Sequence, residues 1–187
     1  MKKISILVGS LRKGSFARKI AKTAIEMFPK DYEAKIVEIG NLPLYNADYD
    51  IPAETDKPLP ETYIEFRQTI KASSGVLFVT PEHNRVVPAC IKNAIDVGSK
   101  PNGDVAWKNL PAGIISHSIG SMGGYSSQKT LRLALSYFDM KLTGQPEAFI
   151  RHSNQLFDEG SSKINNQSTL EFLQKYIDSF IRIVEKS

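Results

Sequence analysis

One cysteine stands in this chain of 187 residues, so no intramolecular disulfide can form, and a reducing cytoplasm is the expected compartment. No apolar run approaches the roughly 18 residues of a membrane span, and the N-terminus is predicted to open directly in a strand, not in a signal peptide. Neither G-x-G-x-x-G nor G-x-x-x-x-G-K-[ST] occurs, which removes the dinucleotide fingerprint and the P-loop. A G-x-S-x-G elbow is missing too, and no aspartate–histidine pair near the C-terminus could activate a serine, so hydrolysis lacks its nucleophile. His83, His117 and His152 lack metal-ligand spacing, and no metal is expected. Charge of one sign is scarce as well. Lysine and arginine (24) exceed aspartate and glutamate (20) by a modest +4 and are scattered, so neither nucleic acid nor a membrane is an expected partner.

What is present is an ordinary globular composition, 41% hydrophobic and 24% charged, at a length that suits one α/β domain over residues 1–187. The organising stretch is the first. Lys2 to Val8 reads as a strand, Gly9 to Gly14 as a small-residue turn, and an amphipathic helix follows from Ser15. Ser10 and Ser15 bring hydroxyls, Arg12 and Arg18 guanidinium groups, and the first helical turn its free N–H groups. Gly9 and Gly14 permit close approach of the backbone to a ligand. This donor set is sized for one phosphate, hence for a mononucleotide. Alone, the stretch also reads as a plain N-cap with two solvated arginines.

Strand and helix then alternate. The first helix (about 15–28) spaces Phe16, Ile20, Ala24 and Met27 or Phe28 along one face and stops at Pro29. A short strand over 34–39 has the alternation of an edge. An irregular segment from 40 to 60 carries four prolines with Tyr45 and Tyr49, and loops of that length are usually functional. A helix over 60–72, an apolar strand over 75–80, and the loop Pro81-Glu82-His83-Asn84-Arg85 leading to a helix come next. A strand over 112–117 is followed by the small-residue turn Ser118 to Gly124, a helix spans 124–138, a fifth strand lies in 142–150, and a last helix covers 166–185. Five such units without a barrel-length repeat predict a flavodoxin-like doubly wound open sheet of five parallel strands, order 2-1-3-4-5, with helices on both faces. Its ligand crevice lies at the carboxyl ends of strands one, three and four. The three loops richest in chemistry follow those strands, which favours the phosphate reading of the first.

At these residues the chain resembles the NADPH-dependent FMN reductase family of flavodoxin-like proteins, which includes quinone, azo-dye and chromate reductases. The matching pieces are Gly9-Ser10-Leu11-Arg12-Lys13-Gly14-Ser15, Leu42 to Asp48, Thr80-Pro81-Glu82-His83-Asn84 with Pro88 and Lys92 to Asp96, and Gly123-Gly124 leading to Leu131-Arg132. The resemblance implies that Ser10, Arg12, Ser15 and Phe16 with Ala17 hold the phosphate of FMN. Pro81, Glu82, His83 and Asn84 would line the isoalloxazine ring, with Ser116, Ser118 and Gly120 on its other flank. It also implies a homodimer or homotetramer in which a neighbour closes the site with Tyr45, Tyr49 and the 40–60 loop. Members often carry asparagine where Ala17 stands, tyrosine at His83, and serine and Gly-Gly at Val86 and Ala89-Cys90.

Such a protein passes hydride from NADPH, with NADH possible, through flavin to a small-molecule acceptor: a quinone, azo compound, free flavin or metal oxyanion. It needs no side-chain nucleophile, because flavin does the redox work. Backbone N–H groups of the 81–84 loop are the expected contacts to the ring edge. Arg85, with His83 and Lys100 at the mouth, is the expected contact for the extra phosphate of NADPH. The alternative is a flavodoxin-like electron carrier or flavin-binding module without turnover; such carriers are strongly acidic, and this chain is not. Glu82 also reads as a cap on its own loop, Cys90 as a buried structural thiol, and Trp107 as packing. Arg132 and Glu147 read either as a pair across a subunit contact or as solvated surface.

Overall fold

A computed structural model describes residues 1–51, 53 and 55–187; Pro52 and Glu54, within the 40–60 segment, lie outside the described residues. Strands β1 (Lys2–Val8), β2 (Tyr32–Val37), β3 (Gly75–Pro81) and β4 (Pro111–His117) are all parallel. Two short strands, β5 (Lys141–Leu142) and β6 (Ala148–Ile150), both pair with β4. The order is β2-β1-β3-β4-β5, which is the doubly wound arrangement expected. The helices are α1 (Phe16–Glu26), α2 (Glu61–Lys71), α3 (Ala89–Gly98), α4 (Tyr125–Ser136) and α5 (Gln167–Glu185).

Period-two alternation in the strands builds two cores. Ile4, Ile6 and Val8 of β1 and Leu77 and Val79 of β3 face α1 and α5, where Ile20, Ala24, Leu173 and Ile177 are buried. Leu7, Val76 and Phe78 point the other way, toward Tyr63, Phe66 and Ile70 of α2, Ile91 and Ile95 of α3, and Leu131 and Leu135 of α4. Trp107 is fully buried there, and its Nε1 donates to Ile95 O at 2.9 Å, so it packs the core as expected.

Two boundaries differ from the sequence expectation. The edge strand begins at Tyr32, two residues before 34, because Tyr32 packs on the α1–α5 core and its hydroxyl binds Glu185 near the end of α5. The fifth strand is broken into β5 and β6. Pro146 has no N–H to give a ladder, and the residues between them turn away before pairing resumes at Ile115↔Ala148.

The 40–60 segment is held down within the chain. A short 3₁₀ turn (Ala47–Asp50) sets Asp50 against Arg67 of α2 through two bonds of 2.7 and 2.9 Å. Tyr45 N donates to Asn93 Oδ1 at 2.7 Å, while Asn93 Nδ2 donates to Pro43 O at 2.9 Å. Tyr45 stacks on Tyr63 and Tyr49 meets Tyr63 edge-on. Both tyrosines thus pack on α2 within the chain and stay half-buried. Arg132 and Glu147 likewise meet within the chain, at 3.3 Å, with Lys129 also on Glu147 at 2.5 Å.

Candidate active site

β1, β3 and β4 end at one edge of the sheet, and the loops that follow them enclose a cleft of about 280 Å³. Ser10, Arg12, Ser15 and Phe16 form one wall, Pro81, Glu82 and His83 the floor, and His117, Ser118 and Ile119 the other wall.

The first wall is a helix start built to receive an anion. Gly9 follows β1 where a Cβ would lie 2.7 Å from Thr80 Oγ1 and 3.0 Å from Pro81 Cδ, so only glycine lets β1 and β3 end side by side. Ser15 is the N-cap of α1: its Oγ accepts from Arg18 N at 3.1 Å and keeps its own proton to donate. The N–H groups of Phe16 and Ala17 have no intrahelical acceptor. Arg12 is exposed and reaches the cleft. Arg18 does not: its guanidinium makes two bonds to Glu38, at 2.8 and 2.7 Å, which hold the Glu38 carboxyl below its ordinary range and raise Arg18. Ala17 can contribute only through its backbone. Its methyl is fully buried in the α1–α5 core, leaving only its N–H to offer.

The floor loop is a tight two-residue turn. His83 N donates to Val86 O at 3.1 Å and Val86 N to His83 O at 3.0 Å, with Asn84 (φ 50°) and Arg85 (φ 70°) both left-handed. His83 N–H is therefore used and Pro81 has none; the Pro81↔His117 pairing directs Glu82 N–H toward β4, and Asn84 N–H has no acceptor among the described residues. Asn84 and Arg85 sit exposed at the tip, outside the cleft lining. Lys100 is turned to Asn102 Oδ1, 2.8 Å away. Glu82 caps neither its own loop nor a ring: its Oε2 accepts from Ser126 N at 2.9 Å and Ser127 N at 3.2 Å, at the start of α4. Gly124, the N-cap of α4, has no side chain for that task, so the floor loop and α4 are tied together.

In the far wall the expected residues shift by one. Ser116 is fully buried and donates to Gly123 O at 2.9 Å, and Gln128 Nε2 donates to it at 3.2 Å; it serves packing and does not line the cleft. Gly120 is exposed outside the lining, its carbonyl taken by Ser118 Oγ at 3.1 Å and His152 N at 3.3 Å. His117 and Ile119 line the cleft in their place. The alternation of β4 could have revealed this, since Ile115 and His117 share a face opposite Ser116. Burial pushes the His117 imidazole down to about 4, with His83 adding a smaller effect in the same direction. Cys90 is half-buried beside the α2–α3 core and its thiol is raised by burial, so it is not a poised nucleophile.

A parallel sheet of this order with an anion-receiving helix start at its switch point defines a flavodoxin-like, mononucleotide-binding protein. The family pattern described as NADPH-dependent FMN reductase matches residues 2–155. A Pseudomonas putida protein named quinone reductase is 47% identical over 177 residues, covering 95% of this chain and 91% of its own. A 2-hydroxy-1,4-benzoquinone reductase from Burkholderia sp. is 38% identical, covering 95% and 93%. The solved structure of FerB, a flavoenzyme NAD(P)H:(acceptor) oxidoreductase from Paracoccus denitrificans, aligns with a TM-score of 0.88 at 33% identity over 100% of this chain and 98% of that one. The chain belongs to the NADPH-dependent FMN reductase family: it is an oxidoreductase that uses FMN and takes electrons from NAD(P)H.

Proposed function

We propose that this enzyme reduces quinones with NADPH, and that Ser10, Arg12 and Ser15 hold the FMN phosphate together with the N–H groups of Phe16 and Ala17. The observation that supports this most directly is the convergence of two hydroxyls, one guanidinium and a helix start on one wall of the cleft, with Pro81 and His83 on its floor. The Asn84 N–H suits the polar edge of a flavin ring. Bound flavin supplies hydride acceptance at N5 and onward transfer. The protein holds and orients it, keeps the inner cleft dry, and leaves one side open for the nicotinamide and the acceptor in turn. Quinones are the favoured acceptors because relatives of 47% and 38% identity are named for quinone reduction.

Arg12→Ala is expected to weaken FMN by about 1.5–3 kcal/mol, or one to two decades in Kd, read by flavin fluorescence. Adding Ser15→Ala deepens the loss, although that change also removes the α1 cap. Unchanged affinity in the double variant overturns the phosphate site.

Arg85, exposed at the tip of the floor loop, suits the additional phosphate of NADPH, and no acidic residue is placed by a known motif to hold the ribose of NADH. A preference for NADPH of about tenfold, near 1.4 kcal/mol, is expected in kcat/KM with a quinone acceptor. Loss of both cofactors by the same factor in Arg85→Ala removes Arg85 from that role.

A second copy of the chain covers the open side in this reading. Leu11, Leu44, Val86, Ile119 and Met122 are exposed apolar side chains in loops at the carboxyl ends of the strands, and Tyr125 begins α4 beside them. They join Tyr45, Tyr49 and the 40–60 loop as material for that contact.

A further inference from the structure

His117 ends β4 and lines the cleft, yet it is 5% exposed and its Nε2 has no partner among the described residues. Buried polar groups in folded proteins are nearly always hydrogen-bonded, so an unmet nitrogen beside a ligand cleft points to the ligand. The position is tightly set. Gly124 packs so close that a Cβ there would stand 2.9 Å from His117 O, and Ser118 N is tied to Ile150 O at 3.1 Å.

The tautomer follows from Ser153. His117 Nδ1 lies 3.0 Å from Ser153 Oγ, and Ser153 is fully buried with no other acceptor for its hydroxyl among the described residues. If Nδ1–H donated to Ser153, both the hydroxyl proton and the Nε2 lone pair would be unmet. If the hydroxyl donates to Nδ1, the single unmet group is Nε2–H. The second arrangement wastes less, so the proton sits on Nε2 and the unmet group of this cleft-lining residue is a donor. Burial keeps the ring neutral at pH 7.

Sheet order decides which part of a mononucleotide that donor meets. β3 lies between β1 and β4, which separates the phosphate wall from the end of β4 by about 10 Å. A group on β4 is thus out of reach of a phosphate held at α1. We propose that His117 is a further cofactor-binding residue whose Nε2–H donates to a carbonyl oxygen of the flavin ring. This rests on FMN occupying the cleft as proposed above.

The test is an imidazole-detected ¹H–¹⁵N spectrum of the full chain, labelled at histidine and stripped of flavin, then titrated with FMN, riboflavin and inorganic phosphate in turn. His117 is expected to show the Nε2–H tautomer. That proton should move with FMN and equally with riboflavin, which has the ring without the phosphate, and stay still with inorganic phosphate. The Nδ1–H tautomer, a response to phosphate alone, a response only to a quinone added to the loaded enzyme, or no response while flavin fluorescence shows binding each overturns the assignment. If no flavin binds at all, the FMN site itself falls, and His117 with it. In parallel, His117→Leu should raise the Kd for FMN about three- to tenfold, and His117→Gln, which keeps an N–H near the same place, should recover most of the loss. Equal weakening in both variants assigns His117 to packing alone.

Discussion

Arg85 stands in a left-handed conformation, at a turn position where glycine fits without strain. A side chain is kept there against a local cost, which is characteristic of residues retained for binding. Arg85→Gly is therefore expected to stabilise the fold by about 0.5–1 kcal/mol in urea titration while lowering the preference for NADPH. A variant that is less stable would show that the turn needs arginine for structural reasons. His117 gives a pH signature. Its folded value of about 4 lies below the ordinary 6.5, so between those limits the unfolded chain carries a proton that the folded chain does not. Stability should fall as pH drops from 6.5 to 4 and level off below, by on the order of 3 kcal/mol from this group. Urea midpoints across that range should be less steep in pH for His117→Gln. That Ser10, Arg12, Ser15 and Phe16 share one wall of the cleft was legible, because serine, arginine and glycine at a strand–helix junction have a local meaning. The side-chain partner of Glu82 and the burial of Ser116 were not, because Ser126 and Ser127 N–H and Gly123 O are contacts across the fold.

Among the elements, the 40–60 segment is fixed by one buried ion pair. Arg67 is 5% exposed and also donates through Nε to Val97 O at 2.7 Å, so its charge has been taken out of water against Asp50. Asp50→Ala leaves that guanidinium without its carboxylate and should cost about 3–5 kcal/mol, with amide exchange rising first across the described part of 40–60. A change below 1 kcal/mol would mean that the segment is held by its tyrosines instead. The helices were legible in the sequence because each carries a 3.6-residue apolar stripe; α1, α2 and α5 lie within two residues of their expected bounds. The fifth strand was not. Its two halves are too short to have a period, and their pairing is decided by β4.

For the molecule as a whole, strand order and the location of the cleft could be read from where glycine and serine punctuate apolar strands, since topology then dictates the switch point. The covering of that cleft could not, because an interface has no periodic signal. If a second copy sits over the cleft mouth, Ile119→Lys with Met122→Lys should shift sedimentation at micromolar concentration to the monomer and lower quinone turnover. A native chain that sediments as a fully active monomer would falsify this arrangement.

The pairing of Arg18 with Glu38 has a practical consequence for handling the enzyme. One of the two guanidinium groups of the first loop and helix start is already neutralised, so in the site proposed above the grip on FMN rests mainly on hydroxyls, backbone N–H groups and Arg12. Mobile ions screen charge but hardly weaken short, directed hydrogen bonds. The protein should stay yellow through a salt gradient on an ion-exchange column, its Kd rising by less than about tenfold from 50 to 500 mM sodium chloride. Colour lost in that gradient would mean that long-range charge holds the cofactor after all.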